Sequence, residues 1–187
     1  MKDKFLEKLD KLDKRLQQTI QFADDTDTIK FSDRLDQHLK PCRNDLTLLT
    51  IKGHLLIEGF LEMNLCRLLD IEALPKGKGR LGFKQKLQLF QEVIKQRAPG
   101  PNSPNSSLCI VIDALNDVRN SLAHKLLHQA EIEKDIRDFI KKYHSRSGKK
   151  MAAAQTTDEQ LKACIRQLCI FLYRARVHFF KLSQSNE

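Results

Sequence analysis

Residues 46–69 hold the feature that most limits how this chain can fold. Leu46, Leu48, Leu49, Ile51, Leu55, Leu56, Ile57, Phe60, Leu61, Leu65 and Leu68 lie in one run without proline. Their recurrence at three- and four-residue spacing predicts a helix, and the apolar residues fall on more than one of its faces. Such a helix must be surrounded by other elements, so it is expected at the centre of the domain.

The rest of the chain supplies the elements to surround it. Phe5, Leu6, Leu9, Leu12, Leu16 and Ile20 predict an amphipathic helix over residues 2–22, and Ile29, Phe31 and Leu35 a short one ended by Pro41. Phe83, Leu87, Leu89, Phe90, Val93 and Ile94 predict another, to about Gln96. The Pro-, Asn- and Ser-rich stretch 98–107 reads as a loop, with Ser106 or Ser107 capping a helix from Leu108 to His124. Ile132, Ile136, Phe139 and Ile140 mark one more helix; residues 144–157 read as a polar basic segment. Thr157 or Asp158 then caps a last helix carrying Leu161, Ile165, Leu168, Phe171, Leu172, Val177 and Phe179. With only 7 Gly and 5 Pro in 187 residues, the chain lacks the turn formers that hairpins require, and no segment reads as a strand. The expected fold is all-α: one bundle of six to seven helices, with residues 1–44 as a helical extension packing on a domain of residues 45–187.

Several classes of function are excluded at this level. The few glycines form neither a GxGxxG nor a GxxxxGK[ST] phosphate loop. Five Cys, an odd number without a CxxC pair, give neither a disulfide framework nor a zinc knuckle and fit reduced thiols. His124 and His128 share a helical spacing that a metal could bridge, but no HExxH or nearby carboxylate accompanies them, so neither a metal nor a cofactor is expected. No segment has the uncharged apolar length of a membrane span, and Met1-Lys2-Asp3-Lys4 is unlike a signal peptide, so the expectation is a cytoplasmic protein without a membrane partner.

The net charge of +9 is unevenly placed. Residues 1–75 carry 12 Lys+Arg against 14 Asp+Glu, a balance of −2, whereas residues 76–187 carry 21 against 10, a balance of +11. Clustered cations favour an anionic partner, because phosphates gain most from them. Lys76, Lys78, Arg80 and Lys84 are the candidates for contacting RNA, at a helix start where backbone N–H groups add to their field. An ordinary solvated surface explains the same residues, and only Phe83 stands near them for base stacking.

The segment Arg119-Asn120-Ser121-Leu122-Ala123-His124 combines a cation that holds phosphate oxygens bidentately with the one side chain that exchanges protons near neutrality. Together they are suited to cleave RNA without metal: the ribose 2′-OH attacks its own phosphorus, His transfers protons and Arg stabilises the equatorial oxygens. Spacing alone proves little, since Arg137 and His144 reproduce it on a charged helix. The first pair differs in continuing the apolar run Leu108 to Val118, a core element able to hold it rigidly.

In these residues the chain resembles the HEPN superfamily of all-α proteins, many of them ribonucleases, whose mark is an Arg followed after four to six residues by a His, with a polar residue next to the Arg. Arg119, Asn120 and His124 match that pattern, and Ile51 to Glu62 is similar to the helix that packs beside the motif helix. The resemblance covers roughly residues 45–145. It implies a HEPN-like bundle, a homodimer with two motifs facing one cleft, catalytic roles for Arg119, Asn120 and His124, and Glu58 placed against Arg119. It further implies a metal-independent endoribonuclease, a toxin or defence component with an antitoxin as partner. The runs Glu58 to Leu69, Leu81 to Leu87 and Leu115 to His124 also resemble the mannitol repressor-like proteins. That resemblance implies a noncatalytic transcriptional or metabolic regulator acting on a protein partner, with the polar cluster structural.

Overall fold

The computed structural model describes residues 28–42, 45–97, 104–124, 129–148 and 155–184. The predicted helix over residues 2–22 lies outside them. Among the described residues there are six α-helices and no strand: α1 (Thr28–Leu39), α2 (Leu46–Leu68), α3 (Phe83–Arg97), α4 (Pro104–His124), α5 (Gln129–Ser147) and α6 (Thr157–Gln184). The all-α expectation holds. No described helix is long and apolar enough to cross a membrane.

The predicted central helix is central. Asp45 begins α2 by accepting the Leu48 N–H at 2.8 Å, which satisfies one of the donors that a helix start leaves without a partner. Leu49, Leu56, Ile57, Phe60, Leu61, Leu65 and Leu68 are all buried, and α1, α3, α4 and α6 all pack on this helix. Where α6 crosses it, a Cβ on Gly53 would stand 2.4 Å from Ile165 Cδ1 and 2.8 Å from Cγ1, so the missing side chain sets how closely these helices approach.

Helix α1 belongs to the same core. Phe31 stacks on Tyr173 of α6 at 4.4 Å and meets Phe60 of α2 edge-on at 5.5 Å, while Leu35 and Leu39 are buried below it. Outside this seam Asp36 receives Lys162 and Arg166 at 3.2 Å each. α4 and α5 pack on each other, and α5 turns Ile132, Ile136, Phe139, Ile140 and Tyr143 inward.

Two helix starts differ from the sequence expectation. α4 begins at Pro104, so Ser106 and Ser107 lie in its first turn rather than before it. Proline suits a first helical position because its fixed φ is already helical and its missing N–H would have had no partner there. α6 is capped by Thr156, not Thr157 or Asp158. The Thr156 N–H donates to Glu159 at 3.0 Å, the reciprocal half of a capping box. The polar stretch read from 144 onward is helical to Ser147, where Gly148 at φ 67° ends α5. Of the apolar residues expected along the last helix, Val177 and Phe179 have side chains outside the described set.

α2 ends in a Schellman arrangement. Ile71 N–H reaches back to the Cys66 carbonyl at 2.9 Å, and Asp70 adopts φ 53°, a left-handed conformation that Asp tolerates better than most residues. This reversal sends residues 71–80 back beside the helix they have just left.

Replacing Gly53 by Ala gains about 1 kcal/mol in helix propensity but drives a methyl into Ile165, and overpacking of this kind costs about 1–3 kcal/mol. Urea denaturation should therefore show Gly53→Ala to be no more stable than the parent and Gly53→Val clearly less stable. Gly53→Val at parental stability would contradict the close crossing.

Candidate functional site

Several polar residues of α2 bond to neighbouring helices, and these bonds place the candidate site. His54 is 4% exposed, its Nε2 lies 3.1 Å from Asn116 Oδ1 of α4, and its ring packs on Phe83 of α3 at 4.4 Å. It is a satisfied core histidine. Burial pushes its pKa below the ordinary value; Arg119 and Lys86 act in the same direction, and the Asn116 bond and Glu58 oppose it.

One turn further along α2, Glu58 and Glu62 share a helix face and hold the Lys86 ammonium of α3 between them. Lys86 Nζ donates to Glu58 Oε1 at 2.6 Å and also to Glu62 Oε1, with the lysine side chain only 1% exposed. Arg80 adds a second cation 4.0 Å from Glu58. The placement of Glu58 against Arg119, which the resemblance implies, is thus replaced: the carboxylate bonds to Lys86. A buried ammonium costs several kcal/mol to desolvate unless carboxylates meet it, so Lys86 draws both.

Arg119 and Asn120 face solvent near the end of α4, and Arg119 Nη1 donates to Asn120 Oδ1 at 3.0 Å. Among the described residues no carboxylate pairs with this guanidinium. The Ser121 hydroxyl donates to Asp135 of α5 at 2.6 Å and so ties α4 to α5. His124 is the last residue of α4; its side chain, like His128, Lys78 and His178, lies outside the described set. The five residues from Arg119 to His124 turn a regular helix by about 140° and advance it by about 7.5 Å. Groups so separated on a regular helix need not point at the same phosphate.

The basic candidates separate. Lys76 and Arg80 line a groove of about 720 Å³ between the C-terminal half of α2 and residues 71–80. Lys84 lies instead 3.7 Å from Asp113 and 3.4 Å from Asp117 of α4. On α5, Arg137 is paired with Glu133 and Lys141 with Asp138 along their own helix, so that basic run is a solvated face. Cys42, Cys109, Cys164 and Cys169 are buried, with Cys109 pushed up to about 11 and Cys164 to about 12 by desolvation, as expected of inert core thiols. Cys66 is only partly covered. No group of three or more His, Cys, Asp or Glu that could hold a metal occurs among the described residues.

Comparison with known proteins finds no matching family model, no matching curated protein and no matching solved structure.

Removing the Lys86 ammonium strands two facing carboxylates, one of them largely covered, so Lys86→Met should cost about 2–4 kcal/mol in urea denaturation. A variant within error of the parent would show that the pair is not holding α2 to α3. His54 sets a pH dependence of definite sign. Folding weakens its hold on a proton, so stability is complete above the ordinary imidazole pKa of about 6.5 and falls as pH drops through the lower folded value. Thermal melts should show His54→Gln losing part of the parental decline in Tm over this acid range; an unchanged slope would contradict it.

Proposed function

We propose that the chain is a metal-independent endoribonuclease of HEPN type, a toxin or defence component working as a homodimer. Arg119 holds the scissile phosphate, and His124 transfers protons. The observation that carries this reading is the state of Arg119: an exposed guanidinium, on a helix whose earlier residues are in the core, with no described carboxylate to neutralise it. Such a group costs little to turn toward an anion and presents the fork that phosphate oxygens match. Asn120 orients it through Oδ1 and is a positioning residue in this scheme.

In the reaction, the 2′-OH loses its proton to a base and its oxygen bonds to phosphorus. The bond to the 5′-oxygen breaks, and that oxygen leaves with a proton. The products are a 2′,3′-cyclic phosphate and a 5′-hydroxyl. A neutral imidazole takes the first proton, an imidazolium delivers the second, and the Arg119 field stabilises charge on the equatorial oxygens. A dimer with two facing motifs brings Arg119 of one protomer and His124 of the other to the same phosphate, which their angular separation on one helix favours.

A second reading, the noncatalytic regulator that works through a protein partner, is favoured by the carboxylates Asp113 and Asp117 on the helix that carries Arg119. They give that face mixed charge and would suit a partner with complementary side chains.

With EDTA present, the parent protein should cleave single-stranded RNA. His124→Ala should reduce cleavage about 10²–10⁴-fold, and Arg119→Ala about 10²–10³-fold, both with unchanged melting temperature. Undiminished cleavage by pure, folded His124→Ala protein overturns the catalytic assignment, and no cleavage by the parent favours the regulator.

A further inference from the structure

The groove beside α2 is not used by the chemistry above. We infer that it binds a nucleotide, base inward and phosphate at the rim, and that in the ribonuclease it takes the nucleotide next to the scissile phosphate; the second clause rests on the proposed function, the first does not.

The Schellman turn at Asp70 lays residues 71–80 back along α2 and makes a trough between them. Its volume of about 720 Å³ suits a mononucleotide. One part of the wall is soft and apolar: Met63 and Cys66 from the helix face Ile71, Leu74 and Pro75 from the returning segment. The two walls are joined at the turn, where the Ile71 N–H bonds to the Cys66 carbonyl at 2.9 Å. Ile71 is 40% exposed, an apolar side chain left open to whatever enters.

The polar lining narrows the ligand class. Lys76 and Arg80 stand at the groove as exposed cations, suited to a phosphate. Glu62 and Glu72 also line it. Glu62 uses Oε1 for Lys86, and its Oε2 has no described partner. A carboxylate in the wall repels a fatty acid or any wholly anionic ligand but accepts N–H groups. A ligand with an apolar body, N–H donors on its edge and a phosphate meets all three parts of this lining, and a nucleotide carries them. Guanine fits best, because adjacent N–H donors on its Watson–Crick edge match the oxygens of a carboxylate.

Arg80 lines the groove and stands 4.0 Å from Glu58, which also bonds to Lys86. Helix α3, which carries Lys86, packs on α4, the helix of Arg119, so the groove and the motif belong to neighbouring helices.

Cys66 makes the test direct, since it lines the groove while the other four cysteines are buried. The rate of its alkylation by N-ethylmaleimide in the whole protein, read by peptide mass, reports occupancy. At a ligand concentration ten times Kd only the free fraction reacts, so protection should be about tenfold. GMP should protect, ribose 5-phosphate should not, and Lys76→Ala should weaken the protection. A short guanine-containing RNA with methylated 2′-oxygens, which cannot be cleaved, should protect as GMP does if the groove serves the RNA strand. Protection by GMP without protection by the RNA supports a free-nucleotide site and overturns the RNA clause. Protection by neither, or equal protection by ribose 5-phosphate, overturns the inference. Cleavage without protection removes the groove and leaves the catalytic reading standing, and protection in a protein that never cleaves does the reverse.

Discussion

Helix α2 is buried on so many sides that the polar side chains it carries inward need partners inside the protein, and meeting that demand orders the helices around it. Lys52 donates to the His38 carbonyl of α1 at 3.5 Å, His54 bonds to Asn116 of α4, Glu58 and Glu62 clasp Lys86 of α3, and Asn64 donates to the Leu172 carbonyl of α6 at 3.2 Å. Each of the four helices that pack on α2 thus makes at least one directional bond with it in addition to its apolar contact. Apolar burial supplies most of the attraction but little choice of register; leaving any of these polar groups unmet costs about 1–3 kcal/mol. The bonds therefore favour the arrangement that meets most of them together, the buried Asn64 Oδ1 being left without a partner.

That selection determines what remains for function. Glu58, the carboxylate on α2 that might have neutralised Arg119, is held by Lys86, and Asn116, one turn before Arg119, is held by His54. Helix α4 is consequently fixed through Asn116, Leu115 and Val118 while Arg119 and Asn120 project from its outer side. A charged group presented by a rigid element keeps its geometry when a ligand arrives, which is what phosphate recognition requires. The same Lys86 bridge lies at the groove, which Lys86, Glu62 and Arg80 all line.

The helices were legible because apolar periodicity is a direct physical requirement of burial: α2, α3, α5 and α6 follow the spacing of their Leu, Ile and Phe residues. Boundaries were less so. Pro104 reads as a breaker among Pro, Asn and Ser, yet at a first turn it favours the helix. The capping pair Thr156 and Glu159 was present as a three-residue spacing, and Thr157 and Asp158 between them carry equally suitable side chains. Within the site, Lys86 was hidden by its charge, since it sits in a basic run. Its register was visible all the same: it shares the inward stripe of Phe83, Leu87, Phe90 and Ile94, where an apolar residue would ordinarily stand. The matching spacing of Glu58 and Glu62 on α2 completes that signal. The groove had no counterpart in the sequence, because it depends on the direction in which the chain leaves α2 at Asp70.

The central claim is that Arg119 of one protomer and His124 of another meet on a single phosphate. Mixing purified Arg119→Ala and His124→Ala proteins, each inactive alone, tests it most directly. A shared cleft predicts that subunit exchange restores RNA cleavage to about a quarter of the parental rate at equal mixing, since half the dimers are mixed and each of those holds one complete site. No cleavage at any ratio, with both variants dimeric and exchanging subunits, would contradict it.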